Sequence, residues 1–319
     1  MNFRSAVSRL GQLISRGEFV VTAELSSVDS ADPQAVVKLA EGLRDRVDAI
    51  NCTDNPGAHV HLSPLAASRI LIDMGLEPIM QLTCRDRNRL ALQADILGAA
   101  ALGVRNLMLM SGDDVSVGDH PEARSIYDID SLQLVSLART LRDQGTYLSG
   151  RRLEVAPRYL VGAVENPFAP PVEFRPLRLA KKVEAGADFI QTQVIFDLER
   201  FRQFMARVQD LGLTERVAII ASVSIPRSAR SARFMQLHVP GIVVPDSVVA
   251  RLERAPESEQ AEVGLKIAAE MAAGLRQIPG VRGVHVVAIK WEEGVSRLVE
   301  EAGLLPRPGR IDLASVGGA

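Results

Sequence analysis

Glu24, Asp113 and Gln193 each stand at or just beyond the end of a short apolar run, where the chain stops being greasy and becomes reactive. The runs read FVVTAEL, NLMLMSGDD and DFIQTQV. A carboxyl placed at the end of an apolar run is partly desolvated, which raises its pKa and suits it to act as a general acid near neutral pH. For Glu24 the plainer alternative is a structural ion pair with Arg85 or Arg87. Thr53, Thr83, Asn166 and Ser224 close four further runs, so these seven strand ends are all polar but only Glu24 and Asp113 are acidic. That set suits a neutral heteroaromatic ligand with donors and acceptors along its edge. It does not suit a metal, because His59 and His61 stand apart from any matching acid or thiol cluster.

Runs of this kind, bounded by turn formers, read as strands buried on both faces of a parallel sheet. Strands are expected at Phe19–Leu25, Ala49–Thr53, Glu77–Cys84, Leu107–Met110, Val155–Val164, Phe189–Gln193, Arg216–Val223 and Val284–Ile289. Helical patterns alternate with them, among them Pro33–Arg44, a run opening at Ser63-Pro64, Asn88–Leu102, Asp130–Leu141 and Ser228–Leu237. Right-handed crossovers leave an open doubly wound sheet or a closed barrel for so many units. No G-x-G-x-x-G follows the first strand, and the expectation is a single (β/α)8 TIM barrel over 19–305. In such a barrel the carboxyl ends of all strands meet on one face, so these polar residues become neighbours. Residues 1–18 read as an amphipathic lead-in helix, with Phe3, Val7, Leu10 and Ile14 on the face that would close the barrel floor. The arginines and serines of that stretch also resemble a transit peptide in composition. Residues 306–319 form a tail.

The chain has 319 residues, 47% hydrophobic and 24% charged, with a formal net charge of -2. That balance gives no reason to expect nucleic acid or an anionic membrane as partner, and no apolar run is long enough to span a bilayer. Cys52 and Cys84 form no redox motif and read as buried thiols of a cytoplasmic protein.

The stretches VVTAELSS, QLTCRDRN, LMLMSGDD and KKVEAGADFIQTQVIFD, with TDNPGAHVHLSPLAAS beside them, resemble the flavin-dependent methylenetetrahydrofolate reductases over essentially the whole length. The resemblance implies a barrel binding FAD at its strand ends, reduced by NAD(P)H and passing hydride to 5,10-methylenetetrahydrofolate. It implies Glu24 as the acid that opens the folate ring, with Asp113 beside flavin and pterin. Gln193 would hold the pterin. Thr53, Gln81, Thr83, Ser111, Gly112, Asp113, Tyr127, Asp128, Asn166 and Lys182 fall to the cofactor, Lys182 through its charge on the phosphates. A homo-oligomer is expected.

Some positions depart from the enteric members of that family. Ser111 stands for their arginine, Gln81 for a histidine, and Arg230 for a phenylalanine that stacks on nicotinamide and folate. Direct use of a nicotinamide therefore competes with electron delivery from a partner subunit, and a non-redox pterin-binding barrel is the reading from another class. Arg227, Arg230 and Arg233, spaced by three, are expected along one side of a helix, with Arg230 contributing to substrate binding through an anion-binding face.

Overall fold

The structure, a computed structural model, describes residues 7–239 and 241–308. Phe3 of the lead-in face and the tail beyond residue 308 lie outside the described residues. Strands β1 (Val20–Glu24), β2 (Ala49–Cys52), β3 (Pro78–Thr83), β4 (Asn106–Met110), β5 (Leu160–Glu165), β6 (Phe189–Val194), β7 (Ala218–Ser224) and β8 (Val281–Val287) pair in sequence order and close into a barrel. Every pairing is parallel, and β8 returns to β1 in the register Val20↔Gly283 to Ala23↔Val286. Around them lie α1 (Arg9–Ser15), α2 (Pro33–Glu41), α3 (Pro64–Asp73), α4 (Arg89–Ala101), α5 (Ser131–Asp143), α6 (Arg175–Ala185), α7 (Leu198–Asp210), α8 (Ala229–His238), α9 (Asp246–Glu253), α10 (Gln260–Arg276) and α11 (Glu292–Glu301).

Local chemistry fixes the helix starts. The Ser63 hydroxyl accepts from Ala66 N, Asn88 caps α4, and Asp130 and Gln133 form a reciprocal capping box on α5. Such caps satisfy amides that the first turn leaves without partners. Gly186 ends α6 in the left-handed region at φ 119°.

Strand side chains alternate between helix layer and barrel interior. The apolar floor of the interior, Val20, Ala49, Ile79, Met108, Leu160, Phe189, Ala218 and Ile220, is covered by Leu10, Leu13 and Ile14 of α1. The lead-in helix is therefore a plug, and each of its three buried side chains contributes about 1.5–3 kcal/mol. Asp48 ties this floor together: its buried carboxylate accepts from Val21 N at 2.8 Å, Arg9 Nη2 at 3.2 Å and Arg307 Nη2 at 2.5 Å.

Two strand boundaries differ from those expected. β5 begins at Leu160, not Val155, because Val155 is 83% exposed in a turn-rich approach. β8 runs Val281–Val287 and ends before Ile289, which is 73% exposed.

Candidate active site

One inward step above the apolar floor, the barrel interior turns polar. Thr22, Asn51, Gln191 and His285 are all buried. Asn51 and Gln191 exchange amide hydrogen bonds at 2.7 and 3.2 Å. Gln191 Nε2 also donates to Thr22 Oγ1 at 3.3 Å, and Thr22 Oγ1 bonds His285 Nδ1 at 2.9 Å. Burial pushes the His285 pKa down to about 3, so the ring is neutral. Alternation places three members of this layer two residues below a strand-end residue: Thr22 below Glu24, Asn51 below Thr53 and Gln191 below Gln193. The sequence reading missed this layer; its signal was a polar residue at the same inward step of four strands.

At the strand ends, a cavity of about 480 Å³ opens over the β2–β6 side of the barrel. Gln81, Thr83, Ser111, Gly112, Asp113, Asn166, Lys182 and Gln193 all line it. Glu24 closes β1 half-buried, and burial pushes its pKa up to about 7 against a smaller lowering by a hydrogen bond from Gln81. Thr53 is buried just past β2, 3.4 Å from Ser27 Oγ. A register shift between Gln191 and Val194 re-aims the end of β6, and Gln193 Oε1 accepts from Val194 N at 2.9 Å. Such irregularities reorient single side chains beside sites.

The alternative of an ion pair between Glu24 and Arg85 or Arg87 is not formed. Arg87 donates to Asp54 and Asp95, and Arg85 to Asp86 and to the carbonyls of Asn55 and Asp113. These bonds interlock the loops after β2, β3 and β4. Asp54, buried, also accepts from Thr83 N and Oγ1, and Gly57 N donates to Asp113 Oδ2 at 2.8 Å. No motif or spacing along the chain points to this frame. A Cβ on Gly112 would meet Thr83 Cβ at 3.0 Å and Arg85 Cβ at 3.1 Å, with φ at +89°, so the loop depends on glycine there.

Two cofactor expectations look different in place. Asp128 does not line the cavity: it grips Arg89 through both carboxylate oxygens, which lowers its pKa to about 2. Tyr127 is 41% exposed and reaches the Asp113 carbonyl only at 3.5 Å. Lys182 lines the cavity, but its Nζ donates to Glu165 Oε2 and to the Val164 carbonyl, both at 2.5 Å.

The arginines after β7 do not share one helical face. Arg227 precedes α8 and lies over the Trp291 ring at 5.2 Å, while Arg233 pairs with Glu253. Arg230 is exposed in the first turn. Cys52 and Cys84 are buried and free, and burial pushes both thiols up to about 12. Among the described residues no group of three or more His, Cys, Asp or Glu could hold a metal, and no helix is long and apolar enough to cross a membrane. A smaller cavity of about 250 Å³, lined by Arg9, Asp48 and Glu77 among others, lies at the opposite end, away from the strand-end residues.

A family model described as methylenetetrahydrofolate reductase matches residues 9–303. The chain belongs to that family. It is 28% identical to methylenetetrahydrofolate reductase 2 of Schizosaccharomyces pombe, over 72% of this chain and 36% of that one. A probable methylenetetrahydrofolate reductase (NADPH) of Caenorhabditis elegans is 24% identical over 76% of this chain and 34% of its own length. The chain thus spans only about a third of the length of these curated relatives. Among solved structures, a Clostridium thermocellum protein that binds two copies of 5-methyl-5,6,7,8-tetrahydrofolic acid shares the fold. Its TM-score is 0.63 at 14% identity, covering 93% of this chain and all of that one. In this member of the reductase family the polar strand-end residues gather on one face of the barrel.

Proposed function

We propose that this chain reduces 5,10-methylenetetrahydrofolate to 5-methyltetrahydrofolate, with FAD as its cofactor and NAD(P)H as electron donor. The observation that carries the reading is Glu24: a carboxyl near pKa 7 at a strand end, in a chain of this family. The lining chemistry fits FAD. Gln81, Thr83 and Ser111 offer amide and hydroxyl groups suited to the edge of a flavin ring, and the β5–α6 wall offers cations suited to a diphosphate. Asn166 and the backbone at Gly112 would complete the contacts. When bound, the flavin supplies hydride transfer; the protein supplies placement and protons.

Protonated Glu24 donates to N10 of the folate, and the methylene carbon–N10 bond breaks with its electron pair going to N10. A cationic iminium is left at N5, and hydride then reaches the methylene carbon. Asp113, which lines the cavity, would stabilise that cation by its charge. Gln193 would hold the pterin through donor and acceptor atoms of one amide, its Oε1 keeping a free lone pair beside the Val194 contact. The Asn51–Gln191–Thr22–His285 layer beneath links β1, β2, β6 and β8 by hydrogen bonds.

Purified protein should be yellow, release FAD on denaturation and turn over the folate with NADH or NADPH. Flavin reduced by neither nucleotide, but active with a chemical reductant, would move electron delivery to a partner protein. Colourless protein that takes up no FAD would overturn the flavin reading.

A further inference from the structure

The family resemblance gives the phosphate contact to Lys182, yet in the barrel that ammonium is already engaged. It is buried in the last turn of α6, with Glu165 Oε2 and the Val164 carbonyl both at 2.5 Å. Glu165 is itself buried at the end of β5. An ion pair so enclosed is costly to open, because a separated partner would be left charged and dry. Arg175 is engaged as well: its Nε donates to the Ala169 carbonyl at 2.6 Å and its Nη2 to the Pro170 carbonyl at 2.7 Å, shaping the loop that leads into α6.

Arg178 stands one turn further along α6, lines the same cavity and is half-buried. Among the described residues its guanidinium has no hydrogen-bond or ion-pair partner. The wall therefore presents three cations against the single carboxylate of Glu165, and the fork left open toward the cavity belongs to Arg178. Crowding among like charges is felt inside the wall, where Arg178 and Arg175 add to the burial that lowers the Lys182 pKa. A planar guanidinium offers paired donors matched to phosphate oxygens, which a buried ammonium does not.

We propose that Arg178, and not Lys182, is the residue with which this cavity grips a diphosphate, and that the Lys182–Glu165 pair serves to stiffen the wall behind it. The inference rests on the flavin reading for its ligand. A nicotinamide dinucleotide carries the same diphosphate, so the two sources need separate arms.

The test is equilibrium binding on the full chain freed of bound flavin, titrated with riboflavin, FAD and NADH and followed by flavin or nicotinamide fluorescence. The unaltered protein is expected to bind FAD at least tenfold more tightly than riboflavin. Arg178→Ala should remove most of that ratio while leaving riboflavin affinity and melting temperature within error. Arg178→Lys should restore it in part. Lys182→Met should instead lower the melting temperature and keep the FAD-to-riboflavin ratio. A ratio unchanged in Arg178→Ala, or abolished only in Lys182→Met, overturns the proposal while leaving the flavin reading intact. If Arg178→Ala weakens NADH but not FAD, the diphosphate is the nicotinamide's and the assignment to flavin is overturned. If the unaltered chain binds no flavin at all, both readings fall.

Discussion

At the scale of single residues, Glu24 is the group whose environment departs furthest from the ordinary in a useful direction. In an unfolded chain it titrates near 4.5 and in the barrel near 7. The protonated native form therefore contributes stability that is complete below pH 4.5 and is lost as the pH rises through 7. Glu24→Gln should flatten that loss and leave the variant roughly 1–3 kcal/mol more stable than the parent above pH 7, read as the difference in melting temperature between pH 5 and pH 8. Equal pH dependence in the two proteins would place the carboxyl in water. Asp113 acts by charge in the proposed reaction, so Asp113→Asn should raise the potential of bound flavin in a redox titration and slow folate reduction. A potential that stays put would place the carboxylate away from the ring. The place of Glu24 at the end of β1 was legible in the sequence, because it closes an apolar run. The roles of Asp54 and Arg85 were not, because they depend on loops from three strands meeting, and no spacing along the chain encodes that.

At the scale of elements, the loop after β4 and the polar layer beneath the cavity position the chemistry. Gly112→Ala meets both a left-handed φ and contacts at 3.0–3.2 Å, so it should cost about 1–3 kcal/mol and weaken ligand binding, measured by denaturant unfolding and flavin titration. Gln191→Leu leaves both amide atoms of buried Asn51 without that partner and should cost about 2–4 kcal/mol, with kcat falling more than the melting temperature alone explains. His285 adds a pH signature to the same layer. Its pKa falls from 6.5 to about 3 on folding, so the stability that depends on the neutral ring is present above pH 6.5 and lost as the pH falls toward 3. Strands and helices were readable from periodicity and caps: Ser63, Asn88 and Asp130 start helices as their side-chain chemistry requires. The misplaced start of β5 has a physical reason. Val155 has strand-like composition, but Pro157 removes a donor and no neighbouring strand reaches that far down.

At the scale of the whole molecule, the barrel separates two tasks by end. The floor is closed by α1 and clasped by Asp48, which joins β1, Arg9 and Arg307. Asp48→Ala should leave two arginines without their buried partner and cost about 3–5 kcal/mol in denaturant unfolding, with flavin affinity of the folded protein unchanged. An effect on ligand binding larger than on stability would contradict that division. The opposite end carries the cavity, whose polar lining was legible in the residue types at the strand ends. Which cation faces a phosphate could not be read that way, since Lys182 and Arg178 look equally available until Glu165 is seen to take one of them.

The central claim is that Glu24 is the acid that activates the folate, and rapid-reaction kinetics on Glu24→Gln test it most directly. Flavin reduction by the donor and flavin reoxidation by 5,10-methylenetetrahydrofolate are measured separately by stopped-flow absorbance. The first rate is expected to stay within about twofold while the second falls by about 10²-fold or more, and the parent's second rate to decline above pH 7. Both half-reactions falling together, or neither changing, would contradict it.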